Sequence, residues 1–200
     1  MSKPIDFYFD FSSPYGYLAS HRIEGIAGKH NRSVIWRPYL LGAVFKVNGR
    51  RPLPQQPLVG DYAHRDMLRC ARLYDIPLTI PQNFPISAVS PSRVFYWVHD
   101  QDVEKAKALA RALYTAYFVD GRDISVAEQV IEVAAALGID RSETANALQD
   151  ASVKERLRQE TDAAIARGAF GSPYIFVDDE PFWGNDRLDQ VDRWLATGGW

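Results

Sequence analysis

The sequence predicts an α/β fold with a split sheet: a β-α-β unit at the start, a β-β-α unit at the end, and a large all-helical insertion between them. Apolar alternation with a period of two occurs only near the two ends of the chain. The middle carries apolar residues at spacings of three and four, broken by helix-cap patterns. The composition, 46% hydrophobic and 24% charged over 200 residues, is that of an ordinary globular chain able to bury a core.

The first strand is the clearest element. Ile5, Phe7, Phe9 and Phe11 alternate with Asp6, Tyr8 and Asp10. Ser13-Pro14 then starts a helix, since Ser is a good N-cap and Pro is tolerated in the first turn. Its stripe of Tyr15, Ala19, Ile23, Ile26 and Ala27 ends near Gly28, and residues 33–38 form a second strand. Residues 42–60, rich in Gly and Pro, are expected to be an irregular connection. The helices that follow carry Met67, Cys70, Ala71 and Tyr74, then about Ser87 to His99, then Val103, Ala106, Ala110, Leu113 and Tyr117. Ser125/Glu128, Asp140/Glu143 and Ser152/Glu155 have the spacing of a capping box, which satisfies two free backbone donors at a helix start. Beta structure returns at Tyr174–Val177 and at Phe182-Trp183, and Asp186 is expected to cap a last helix carrying Leu188, Val191 and Leu195. The two ends, 1–60 and 169–200, then form one domain, and 61–168 is the helical insertion.

The charge balance narrows the function. A net charge of −2 gives no support for nucleic-acid binding or an anionic membrane surface. No apolar run approaches the roughly 20 residues of a bilayer span, and no signal peptide is visible at the N-terminus. A single cysteine, Cys70, excludes an internal disulfide and a cysteine-based metal site, and a cytoplasmic location fits best. The four histidines show no metal-ligand spacing, so no metal is expected.

Three short motifs carry chemistry. Ser13-Pro14-Tyr15-Gly16 sits at a strand-to-helix junction where thioredoxin-like oxidoreductases hold Cys-x-x-Cys. Free N–H groups and the helix dipole favour an anion there, including a thiolate. Without a protein thiol, the serine can hydrogen-bond a sulfur supplied by a ligand, and that bond favours the thiolate over a thiol with a pKa of about 8.5. Taken alone, Ser13 reads first as a plain N-cap, since Ser-Pro helix starts are common. Gly171-Ser172-Pro173 precedes a strand, where thioredoxin-like folds carry a cis-proline and offer backbone to a peptide-like ligand; an ordinary loop is the other reading. In Phe182-Trp183-Gly184-Asn185-Asp186, N–H groups at a helix start suit a carboxylate and the Asp186 carboxylate suits an ammonium group. Cys70, on an apolar stripe, reads as a small hydrophobe.

These motifs and the split-sheet order resemble the family of 2-hydroxychromene-2-carboxylate isomerases and kappa-class glutathione transferases over nearly the whole chain. The most specific pieces are Phe9-Asp10-Phe11-Ser12-Ser13-Pro14-Tyr15, Gly168-Ala-Phe-Gly-Ser-Pro173 and Phe182-Trp-Gly-Asn-Asp-Arg-Leu188, the last closer to the isomerases. The resemblance implies a homodimer with a DsbA-like thioredoxin domain, a helical insertion and bound glutathione as cofactor. Ser13 would stabilise the glutathione thiolate. Ser172, with Pro173, would pair with the cysteinyl backbone. Asn185 and Asp186, beside Trp183 and Gly184, would hold the γ-glutamyl end. Lys46 and Arg51 would contact a small aromatic carboxylate substrate, and Phe84 would wall the pocket or belong to the insertion core. The implied activity is glutathione-dependent conversion of 2-hydroxychromene-2-carboxylate to trans-o-hydroxybenzylidenepyruvate in aromatic-hydrocarbon catabolism. The alternatives are a kappa-type transferase that consumes glutathione and a redox-inactive binding module.

Overall fold

The computed structural model describes residues 3–200; Met1 and Ser2, at the head of the predicted 1–60 segment, lie outside the described residues. Strand β1 (Ile5–Phe9) pairs in parallel with β2 (Val34–Pro38) and antiparallel with β3 (Tyr174–Val177). β3 pairs antiparallel with β4 (Glu180–Trp183), so the order across the sheet is β2-β1-β3-β4. The two ends of the chain thus build one sheet, as the split pattern predicts.

β1 is central and covered on both sides, by apolar side chains on one face and by Tyr8 with the ion-paired Asp6 on the other. Ile5, Phe7, Phe9 and Phe11 are 0% exposed. Phe7 and Phe9 meet Trp36 edge-on, and Phe9 meets Phe95 and Tyr114 of the insertion. Tyr8 points the other way, against Tyr39 and Phe176, in a smaller cluster with Ala164 and Val44. Burying a side chain such as Phe9 is worth ~1.5–3 kcal/mol. The polar partners of the alternation are also accounted for: Asp6 is held by Arg37 and Arg167, and Asp10 is buried.

The helices are α1 (Pro14–Ser20), α2 (Ile23–Lys29), α3 (Leu41–Asn48), α4 (Val59–Leu73), α5 (Val89–His99), α6 (Val103–Phe118), α7 (Ala127–Ala136), α8 (Arg141–Gln149), α9 (Ala151–Ala166) and α10 (Leu188–Thr197). Two departures from the expected layout bear on the site. The helix expected from Ser13 to Gly28 is two helices, because the chain turns at His21-Arg22, where the Arg22 N–H donates to the Ala19 carbonyl. The expected loop 42–60 contains α3 and a short 3₁₀ turn (Leu53–Gln55). Gly42 sits in the first turn of α3, and Gly49, at φ +69°, closes it with its N–H on the Phe45 carbonyl, so these glycines bound a helix.

Two of the three capping boxes are also corrected. α7 has no side-chain cap; Asp123 instead accepts from the Ser125 N–H and hydroxyl. At α9 Asp150 is the cap and takes the Ser152 hydroxyl as a donor, while Glu155 turns to Arg158. Asp140 caps α8 as expected, accepting from the Glu143 N–H at 2.9 Å. Strand β4 starts earlier than expected, and Pro181 is tolerated because β4 is an edge strand. Among the described residues, no helix is long and apolar enough to cross a membrane.

Candidate functional site

The site is built where β1 ends, α1 begins and the Gly171–Pro173 loop enters β3. Beyond β1 the Ser13 N–H donates to the Asp10 carbonyl (2.9 Å), closing a tight turn. The Asp10 carboxylate, 3% exposed, accepts from the Ser12 N–H (2.7 Å), the Ser12 hydroxyl (2.7 Å) and the Leu41 N–H (2.8 Å). Burial outweighs these bonds and raises its pKa above the usual carboxylate value. One side chain thus fastens the active turn to the start of α3.

Ser13 is extended and caps α1, its Oγ accepting from the Gly16 N–H at 3.0 Å. Its own proton goes to the Ser172 carbonyl at 2.8 Å. That contact spans the junction the sequence predicts, and the Ser172–Pro173 bond is cis, as expected of this loop. The Ser172 hydroxyl accepts from the Asp10 N–H at 2.9 Å, and the Tyr114 hydroxyl of α6 donates to the Asp10 carbonyl at 3.1 Å. The Tyr39 hydroxyl donates to the Gly171 carbonyl at 2.5 Å. Packing around Gly16 is close: a Cβ there would stand 2.7 Å from Ser172 Oγ and 2.8 Å from the Tyr114 oxygen. The place of a second cysteine is therefore occupied by its neighbours.

The third motif joins the same region. The Gly184 N–H donates to the Pro173 carbonyl at 3.1 Å, tying the end of β4 to the cis-proline loop. Asn185–Arg187 form a 3₁₀ turn leading into α10. Asp186 does not cap α10: its side chain is 67% exposed and pairs with Arg187, leaving the carboxylate at the surface. Asn185 is 2% exposed, and its Nδ2 is buried without a partner. Trp183 is half-exposed, stacked edge-on against Phe170, with its indole nitrogen close over Gly171.

The substrate candidates are less concentrated. Lys46 lies exposed in the last turn of α3, and Arg51 lies exposed beyond it, with no ion pair holding either among the described residues. Phe84 is half-buried and packs on the main core, which fits the insertion-core alternative. The structure adds Arg50, whose guanidinium lies 5.5 Å from the Phe170 ring and 5.9 Å from the Trp183 ring. Nothing in Gly49-Arg50-Arg51 distinguishes the two arginines; only their packing does. Cys70 is half-buried beside Asp66 (Sγ to Oδ2 3.7 Å), and burial, then Asp66, raises its pKa, so the thiol stays protonated. The Asp66 carboxylate also accepts the Tyr15 hydroxyl (2.7 Å) and pairs with Arg69, linking α1 to α4. His64 is exposed. Among the described residues no group of His, Cys, Asp and Glu is placed to hold a metal ion.

A serine at the helix start, facing a cis-proline loop in a sheet of this order, defines a thioredoxin-type site from which both thiols have gone. The family model of the DSBA-like thioredoxin domain matches residues 4–196. A 2-hydroxychromene-2-carboxylate isomerase from Pseudomonas sp. (strain C18) is 32% identical over 98% of this chain and 90% of its own. A kappa 2 glutathione S-transferase from Caenorhabditis elegans is 29% identical over 97% of this chain and 92% of its own. The chain belongs to the DsbA-like thioredoxin-domain family, in the branch of enzymes that holds the 2-hydroxychromene-2-carboxylate isomerases and kappa-class transferases. A solved 2-hydroxychromene-2-carboxylate isomerase superimposes with a TM-score of 0.83 at 32% identity, covering 96% of this chain and 94% of that one. The cytosolic disulfide reductase DsbM from Pseudomonas aeruginosa, solved with GSH, shares the fold at a TM-score of 0.67 and 17% identity, with 96% of each chain covered.

Proposed function

We propose that this protein is a glutathione-dependent isomerase that converts 2-hydroxychromene-2-carboxylate to trans-o-hydroxybenzylidenepyruvate, as a cytoplasmic homodimer in aromatic-hydrocarbon catabolism. The observation that carries this reading is the Ser13 hydroxyl at the start of α1, 2.8 Å from the carbonyl before the cis-proline, in a chain whose one cysteine lies elsewhere. The relatives named as isomerases support the substrate class.

The residues present fit glutathione. The buried, unpartnered Asn185 Nδ2 asks for an acceptor, and the exposed Asp186 carboxylate suits an ammonium group. When bound, glutathione supplies a thiolate, a nucleophile that adds reversibly to a conjugated double bond and leaves after rotation about it. Ser13 governs that nucleophile. Its hydroxyl carries one proton, which rests on the Ser172 carbonyl. Turning the proton toward a ligand sulfur stabilises the thiolate and frees the Ser172 carbonyl to accept a backbone N–H from a peptide-like ligand. The Gly16 N–H stays on the Ser13 oxygen throughout and keeps it in place. Lys46, Arg50 and Arg51 supply positive charge for the substrate carboxylate and for enolate charge as it develops.

Ser13→Ala tests the reading. If the serine lowers the thiol pKa by about two units from about 8.5, its loss costs roughly 10–30-fold in turnover at pH 7. The deficit should shrink as the pH rises past that of the free thiol. Unchanged activity, or full activity without glutathione, would sink the mechanism. The transferase reading, favoured by the kappa-class relative, is separated by product analysis: a stable glutathione conjugate marks a transferase, and recovered glutathione an isomerase.

A further inference from the structure

Arg22 lies at the turn between α1 and α2, 163 residues from Asn185 in the chain, yet its guanidinium reaches the 185–189 segment. Its Nη1 donates to the Asn185 carbonyl (3.3 Å) and to Asn185 Oδ1 (3.4 Å), and its Nη2 pairs with Asp189 at 2.8 Å. The guanidinium carbon stands 3.9 Å from the ring centroid of Tyr74, at the end of α4. Only 18% of the side chain is exposed. An arginine stacked on an aromatic face and forked between two residues, with three acceptor atoms, has little freedom left.

These contacts fix the Asn185–Asp186 turn in two ways. A guanidinium has donors and no acceptor, so the Asn185 amide must turn its oxygen to Arg22 and its NH₂ away. That settles which end of the amide is which, and it leaves Nδ2 buried and unpartnered. A trans peptide is planar, with its C=O and N–H opposed. Holding the Asn185 carbonyl toward Arg22 therefore directs the Asp186 N–H away from it. The Asn185 carbonyl also accepts the Leu188 N–H within the 3₁₀ turn, so Arg22 orients the Asn185 side-chain donor and, together with that turn, the Asp186 N–H, without needing to touch the ligand.

We propose that Arg22 is a positioning residue for the ligand's γ-glutamyl end, acting through Asn185 and Asp186. The proposal rests on the glutathione reading above. It predicts a ligand-specific defect: Arg22→Lys, which keeps the charge but loses the fork and the flat stacking face, should matter only for ligands that carry the γ-glutamyl group.

The test is calorimetric titration of the full chain, wild type and Arg22→Lys, with reduced glutathione and with cysteinylglycine, which lacks that group. The Asn185 side-chain NH₂ signals, identified by their loss in Asn185→Asp, are followed by ¹H–¹⁵N correlation in the unliganded protein. The expected result is about a tenfold loss of affinity for glutathione, about 1.4 kcal/mol, no loss for cysteinylglycine, and displaced Asn185 amide signals. Equal losses for both ligands, no loss for glutathione, or unmoved amide signals would overturn the role of Arg22. Failure of the wild type to bind glutathione at millimolar concentration overturns the glutathione reading itself, and it is seen before any substitution is made. Should Arg22→Lys not fold, Tyr74→Leu removes only the ring beneath the guanidinium, and the same ligand contrast decides.

Discussion

Ser172 offers a measurable test of how the site is held together. Its hydroxyl is the acceptor for the Asp10 N–H at 2.9 Å, and Ser172 and Asp10 are 8% and 3% exposed. Ser172→Ala removes the acceptor and leaves a buried backbone donor unpaired. Such a loss costs ~1–3 kcal/mol, against about 0.5 kcal/mol or less for an exposed serine away from such contacts. In a chain of this length each kcal/mol lowers Tm by about 2–4 °C, so a mid-range loss of ~2 kcal/mol gives a drop of about 4–8 °C. Differential scanning calorimetry of Ser172→Ala beside the exposed Ser87→Ala would measure it. A Ser172→Ala transition within about a degree of wild type would refute the reasoning. It would mean that water or another acceptor replaces the hydroxyl, and that the turn does not depend on this contact.

Gly16→Ala should destabilise by ~1–3 kcal/mol through overpacking, because its Cβ meets Ser172 Oγ and the Tyr114 oxygen, both already fixed by hydrogen bonds; denaturant titration reads the loss. Asp10→Asn should change how stability varies with pH. Burial raises the Asp10 pKa in the folded chain above its ordinary 3.8, so the folded state keeps that proton to a higher pH than the unfolded chain. The Asp10 contribution to stability is then greatest below 3.8 and declines as the pH rises through the folded pKa. The Tm of Asp10→Asn minus that of wild type should therefore rise between acid and neutral pH, and a flat difference would count against the shift.

Much of the layout was legible because it rests on local signals. The alternation in Ile5–Phe11 and the Ser-Pro start of α1 are local chemistry. Ser172-Pro173 was legible as a loop before a strand, although only the fold brings its carbonyl to Ser13. The failures have physical causes. Gly42 and Gly49 suggested a loop because glycine count does not reveal where in a helix a glycine sits. Ser125 and Ser152 looked like caps, but nearby aspartates, with a second acceptor oxygen, took those hydroxyls instead. The role of Asp10 had no local signal, because it depends on the Leu41 N–H at the start of α3, a helix that the Gly- and Pro-rich stretch concealed. Arg22 and Arg50 carried no readable signal, since their partners are Asn185 and Trp183, distant in the chain. The sequence order alone cannot supply such pairings.

The close packing around Gly16 has a historical consequence. A lineage that exchanges a thiol pair for a serine and a glycine can in principle reverse the exchange one codon at a time. Here the tyrosine oxygen from α6 and the serine oxygen from the cis-proline loop stand 2.8 and 2.7 Å from where a Cβ would be. The first step back at position 16 therefore meets a steric penalty before any redox benefit arises. The change of chemistry is entrenched by packing, and any side chain at position 16 would first need both the Ser172 and the Tyr114 oxygens to give way.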